Sequence, residues 1–131
     1  MEKILIVEDE QLIVEFVEFL LRQEGFVPLT ASDGDVVIPL ARQEQPALIL
    51  LDVLLPTVDG FEVLRQLRDT PDLAHIPVII FTARNRDADV ALAFEMGASD
   101  YVAKPFSPTE LLARVQKTLK LAAKARLPEG L

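Results

Sequence analysis

The chain has 131 residues, a formal charge of −8 and half of its residues apolar, which is the composition of one globular domain rather than a disordered segment. The absence of cysteine excludes a disulfide framework, a thiolate zinc site and a cysteine nucleophile, and the acidic balance disfavours binding to a phosphate backbone. With no secretory signal at its start and no run near the roughly 20 apolar residues that cross a bilayer, the sequence reads as soluble and cytoplasmic, without membrane or nucleic-acid partners of its own.

Lys3–Val7 is a short aliphatic run, as expected of a strand buried on both faces of a parallel sheet. The period then lengthens to the helical one: Leu12, Ile13, Phe16, Val17, Leu20 and Leu21 share a face, and Gly25 stops the helix. Phe26–Thr30 is more mixed and suits an edge strand. The segment Asp33–Glu44 is helical in pattern but holds Pro39, which costs about 3 kcal/mol inside a regular helix, so a kink or a late start is expected.

Ala47–Leu51 and Val78–Phe81 are again inner strands, and Ser99–Ala103 is a second edge strand. Between them, Asp59-Gly-Phe-Glu62 has the spacing of a capping box, and a fourth helix over Asp87–Met96 ends at Gly97. Ser107-Pro108-Thr-Glu110 combines an N-cap, a proline at the first helical position and a reciprocal Glu at the third. The last helix buries Leu111, Leu112, Val115 and Leu119 and turns Arg114, Lys117, Lys120 and Lys124 outward. Charge is accordingly uneven: residues 1–103 hold 7 basic and 19 acidic groups, and 104–131 hold 6 and 2. The tail 122–131 suits a linker after a domain spanning 1–121.

Five strands alternating with five helices imply right-handed crossovers and a parallel sheet covered on both faces, with the ligand crevice outside the carboxyl ends of the strands. Those ends carry Glu8-Asp9-Glu10, Asp52, Thr82-Ala83 and Lys104-Pro105. Each alone is unremarkable, since acidic residues opening a helix commonly serve its dipole. Convergence is what gives them meaning. Carboxylates crowded into one crevice call for a hard divalent cation, and Mg²⁺ is the natural occupant. A lone His75 makes no zinc site and reads as a surface residue. Adding the Thr82 hydroxyl and the Lys104 ammonium supplies what a transferring phosphoryl group needs around its oxygens. Asp52, which follows the apolar Leu48–Leu51, is then the candidate nucleophile, forming a reactive acyl phosphate.

At these residues the sequence resembles the receiver domain of two-component response regulators. The resemblance rests on Ile4-Leu-Ile-Val-Glu-Asp-Glu10, Leu50-Leu-Asp-Val-Leu-Leu-Pro56 with Asp59-Gly60, Ile80-Phe-Thr-Ala83, and Gly97-Ala-Ser-Asp-Tyr-Val-Ala-Lys-Pro-Phe106. It implies an α/β, flavodoxin-like (βα)5 three-layer sandwich with a parallel five-stranded sheet of order 2-1-3-4-5, a fold for which a chemotaxis receiver is a standard example. It further implies that Asp52 is phosphorylated, that Asp9, Asp52 and the Leu54 backbone carbonyl hold Mg²⁺ with Glu8 acting largely through water, and that Thr82 and Lys104 contact the phosphoryl oxygens. The peptide before Pro105 is expected to be cis, and Tyr101 matches an aromatic that swings inward as Thr82 moves toward the phosphate.

The implied partners are a sensor histidine kinase or a histidine phosphotransfer protein as donor, and an output protein or C-terminal effector domain as recipient. The output is read from the face made by helix four, strand five and helix five, and a phosphorylation-linked homodimer is compatible with it. The chain is not expected to be a turnover enzyme for external substrates. A phosphatase of the haloacid dehalogenase type needs a second Asp where Leu54 stands. A flavodoxin-like electron carrier needs a phosphate loop after the first strand and aromatics that are missing, and a phosphorylation-independent interaction module has no need of the intact acidic pair, Asp52, Thr82 and Lys104. Departures from the family pattern are Pro39, Ala47, Thr57-Val58 and Ser99, all away from the reaction centre.

Overall fold

The computed structural model describes residues 2–125. Its strands are β1 (Lys3–Val7), β2 (Val27–Ala31), β3 (Leu48–Leu51), β4 (Val78–Thr82) and β5 (Asp100–Ala103). They alternate with α1 (Gln11–Gln23), α2 (Val37–Glu44), α3 (Gly60–Asp69), α4 (Asp87–Glu95) and α5 (Pro108–Ala125). All strand pairs are parallel and the sheet order is β2-β1-β3-β4-β5, the flavodoxin-like order expected.

Alternation along the strands sorts the core into two layers, because successive side chains leave opposite faces of a sheet. Leu5, Val7, Ile49, Leu51, Val78 and Ile80 pack with Val37 and Ala41 of α2, Val63, Leu64 and Leu67 of α3, and Ala93 of α4. Ile4, Ile6, Leu48, Leu50, Ile79, Phe81 and Val102 face the other way, onto Val17, Leu20 and Leu21 of α1 and Leu111 and Val115 of α5. Apart from Lys3, the inner strands β1, β3 and β4 are fully buried, which is why their apolar runs are continuous rather than alternating.

The helix ends show where local signals are followed and where they are outcompeted. Asp59 accepts the Phe61 N–H at 2.8 Å and the Ser107 hydroxyl accepts the Glu110 N–H at 3.3 Å, so both N-caps form. The return bonds of the two capping boxes are replaced: Glu62 pairs with Arg65 and Glu110 with Arg114 at 3.1 Å, because an arginine three or four residues on offers the carboxylate a charged donor. Of the two expectations for Pro39, the late start is the one observed. A 3-10 turn over Gly34–Val36, capped by Asp33, delays α2 to Val37, so Pro39 sits in the first helical turn where no intrahelical N–H bond is lost.

On α1, Val14, Val17, Leu20 and Leu21 are buried, whereas Leu12 and Phe16 are not. Both lie in the part of the helix nearest the strand ends, and Phe16 stacks instead on Phe106 after β5, with ring centroids 6.2 Å apart. Of the proposed tail, 122–125 continue α5, and 126–131 lie outside the described residues.

Candidate functional site

Glu8 and Asp9 follow β1 directly, Asp52 follows β3, Thr82 ends β4 and Lys104 follows β5, so the topology delivers all five to one rim of the sheet. Oxygen atoms of Glu8, Asp9 and Asp52 lie within 4.8 Å of one another, with Glu8 and Asp52 buried and Asp9 exposed to solvent. Lys104 reaches back from the far side. Its ammonium donates to Asp52 Oδ2 at 2.9 Å and to Glu8 Oε1, while lying 4.9 Å from the centroid of the Phe81 ring. The Lys104–Pro105 peptide is cis, as expected.

The two buried carboxylates are held differently. Glu8 Oε2 accepts the N–H groups of Asp9 and Glu10 at 3.0 and 3.2 Å, which fixes it across the start of α1. Burial pushes the Glu8 carboxyl above its ordinary value, against the hydrogen bonds and positive charge of Lys104 and the Glu10 N–H, which pull it down. For Lys104 burial acts downward, but the bonds to Glu8 and Asp52 outweigh it and hold the ammonium above the ordinary lysine value. Asp52 presents Oδ1 to the Leu54 N–H at 2.9 Å, so its own backbone turn orients it.

That turn is clamped from behind by Gly60. A Cβ there would stand 2.3 Å from Val53 Cα and 2.5 Å from Asp52 O, closer than any real side chain comes. The glycine therefore allows α3 to begin hard against the backbone that carries Asp52, and the Gly60 N–H donates to Val53 O at 3.0 Å.

Leu54 is half-exposed at the mouth of the site. Thr82 is fully buried, and its hydroxyl accepts the Arg84 N–H at 3.3 Å; among the described residues it makes no hydrogen bond to Asp52. Tyr101 is buried on β5, and its hydroxyl donates to the Arg84 carbonyl. His75 is exposed and distant from the rim. Sequence reasoning did not single out Arg84 or Asp89. An arginine two residues after the Thr82 hydroxyl, with an Asp in the first turn of the next helix, was the available signal.

The rim thus offers three carboxylates against one ammonium, an excess of two negative charges. This matches a divalent ion, and the oxygen-only donor set suits a hard one.

The model of the response regulator receiver domain family matches residues 4–116. The alkaline phosphatase synthesis transcriptional regulatory protein PhoP of Bacillus subtilis is 44% identical over 119 residues, which are 91% of this chain and 49% of that protein. The chain therefore spans about half the length of this curated relative. Among solved structures, the BeF3-activated N-terminal receiver domain of Klebsiella pneumoniae RstA is 32% identical with a TM-score of 0.83, covering 90% of this chain and 98% of that one. The receiver domain of the sensor histidine kinase PA1611 from Pseudomonas aeruginosa, solved with a magnesium ion coordinated in its active-site cleft, is 30% identical with a TM-score of 0.83 and covers 91% and 98%.

Proposed function

The chain belongs to the response regulator receiver domain family, and we propose that it is a phosphorylation-controlled switch whose phosphoacceptor is Asp52. The observation that carries this reading is the joint engagement of Asp52 by the Leu54 N–H and the Lys104 ammonium inside a rim with two excess negative charges. A carboxylate held by both oxygens is oriented, and an ammonium already at hydrogen-bond distance is ready for the charge that arrives with a phosphoryl group.

In this reading an Asp52 carboxylate oxygen attacks the phosphorus of a phosphohistidine on a sensor kinase or phosphotransfer protein. The P–O bond forms as the P–N bond breaks, and the imidazole leaves with a proton. Water later attacks the same phosphorus, returning the carboxylate and inorganic phosphate. Asp9, Asp52 and the Leu54 carbonyl would hold Mg²⁺, with Glu8 behind them, and the ion would neutralise charge on the phosphoryl oxygens. Glu8 also anchors Lys104, and Thr82 and Lys104 would take the phosphoryl oxygens directly. The substrate is the domain's own side chain, so no turnover of external phosphoesters is implied.

The switch would be read on the α4–β5–α5 face through Thr82 and Tyr101, by an output protein, by an effector domain joined to the receiver unit, or by a second copy. Such couplings amount to about 1–3 kcal/mol, enough to bias a population. A cytoplasmic site of action follows from the proposed donors; no helix among the described residues is long and apolar enough to cross a membrane. The test is an amide NMR titration with beryllofluoride and Mg²⁺. Shifts are expected at Asp52, Thr82, Lys104 and Tyr101 and along α4; an unchanged spectrum contradicts the reading.

A further inference from the structure

Outside the rim, the segment between β4 and α4 contains a second ionic cluster. Asp89, in the first turn of α4, is a carboxylate whose side chain is only 5% exposed. Its Oδ1 accepts Arg84 Nε at 2.9 Å and its Oδ2 accepts Arg86 Nε at 3.3 Å. A buried carboxylate must be paired, and here each oxygen has its own guanidinium. Arg84 is held a second time, with its guanidinium 5.3 Å from the centroid of the Phe61 ring on α3.

The consequence lies in the Arg84 backbone. Its N–H donates to the Thr82 hydroxyl and its carbonyl accepts the Tyr101 hydroxyl. One peptide segment therefore touches both Thr82 and Tyr101, and the residue that carries it is the one whose side chain Asp89 grips.

We propose that Asp89 is a positioning residue which, through its ion pairs with Arg84 and Arg86, fixes the segment after β4 so that the Arg84 backbone links Thr82 to an inward Tyr101. The link to phosphorylation rests on the role of Thr82 proposed above; the clamp itself does not. The clamp favours the inward ring, so that phosphorylation acts on an element whose balance Asp89 biases. Releasing it frees Tyr101 without removing any group from the acidic rim.

The chain has one tyrosine and no tryptophan, so Tyr101 reports on itself. In the full chain without phosphate, acrylamide quenching of tyrosine fluorescence is expected to rise several-fold in Asp89→Asn, and Arg84→Lys, which keeps a cation opposite Asp89, is expected to stay near the native value. Arg84→Gln separates positioning from simple electrostatics. The charges facing the ring are Arg84, Asp89 and Asp52, and the cation lowers the phenol pKa. Its removal alone would raise the titration midpoint, whereas release of the ring from burial and from its acceptor lowers it.

A falling midpoint in Arg84→Gln supports the clamp; a rise or no change overturns it, and so does unchanged quenching in folded Asp89→Asn. If Asp89→Asn does not fold, Arg84→Gln decides. Labelling by acetyl phosphate and Mg²⁺ is measured on the same samples. A native chain that fails to label refutes the Asp52 reading and leaves the quenching result standing, whereas normal labelling with unmoved quenching refutes only the clamp.

Discussion

The Lys104 ammonium meets the Asp52 carboxylate at 2.9 Å across 52 residues of sequence, and the same ammonium pairs with Glu8. This side chain is only 9% exposed, so the three groups form a nearly dry ionic cluster in which the lysine compensates two buried carboxylates.

Lys104→Ala is therefore expected to destabilise the metal-free domain by about 3–5 kcal/mol, the usual cost of stranding buried charge. Urea unfolding with and without Mg²⁺ checks this. A smaller deficit in Mg²⁺ is expected, because the ion can replace the missing positive charge. A loss unaffected by Mg²⁺ would mean that the ion and the ammonium do not share the site. The variant should still bind Mg²⁺ yet fail to transmit phosphorylation to α4.

Magnesium should also stabilise the native chain, since it binds a folded rim that the unfolded chain lacks. At a concentration 100-fold above its Kd the gain is about 2.7 kcal/mol. Calorimetry in EDTA and in millimolar Mg²⁺ measures it, and coincident melting curves would speak against the donor set.

Gly60→Ala tests the support behind Asp52. The added methyl meets backbone rather than a yielding side chain, at 2.3 Å from Val53 Cα. A cost of about 1–3 kcal/mol in denaturant unfolding is expected from overpacking. Labelling of Asp52 should slow as well, because the backbone that must move carries the acceptor.

Tyr101 gives a pH dependence with a definite sign. Burial holds its phenol above the ordinary value, and the negative charges of Asp89 and Asp52 act in the same direction while Arg84 opposes them. A group whose folded pKa is raised contributes stability fully below its unfolded pKa, near 10 for tyrosine, and that contribution is lost as pH rises through the folded value. Phenolate absorbance should titrate above the denatured control. A midpoint at or below that control would contradict the buried, donating hydroxyl.

Much of this fold was legible because its inner strands are uninterrupted aliphatic runs: Lys3–Val7 matches β1 residue for residue, and β4 extends the expected run only to Thr82. Boundaries were harder where two local signals compete. Pro39 predicts trouble for a helix, yet whether it breaks or merely postpones α2 depends on Asp33 capping a 3-10 turn ahead of it. Glu62 and Glu110 have capping-box spacing, but Arg65 and Arg114 lie within reach on the same helix faces.

At the candidate site, the strand-end rule brought Glu8, Asp9, Asp52 and Lys104 to one rim. It could not show that Glu8 binds Lys104, because that contact depends on how deeply both side chains are buried. The same limit hid the Arg84–Asp89 pair, whose meaning lies in a backbone carbonyl that no residue pattern reveals.

The most direct measurement is intact mass after incubation with acetyl phosphate and Mg²⁺, run on the native chain and on Asp52→Asn. The native chain is expected to gain one phosphoryl group, lost on hydrolysis, and the variant none. An unmodified native chain, or equal labelling of both, would contradict Asp52 as the acceptor.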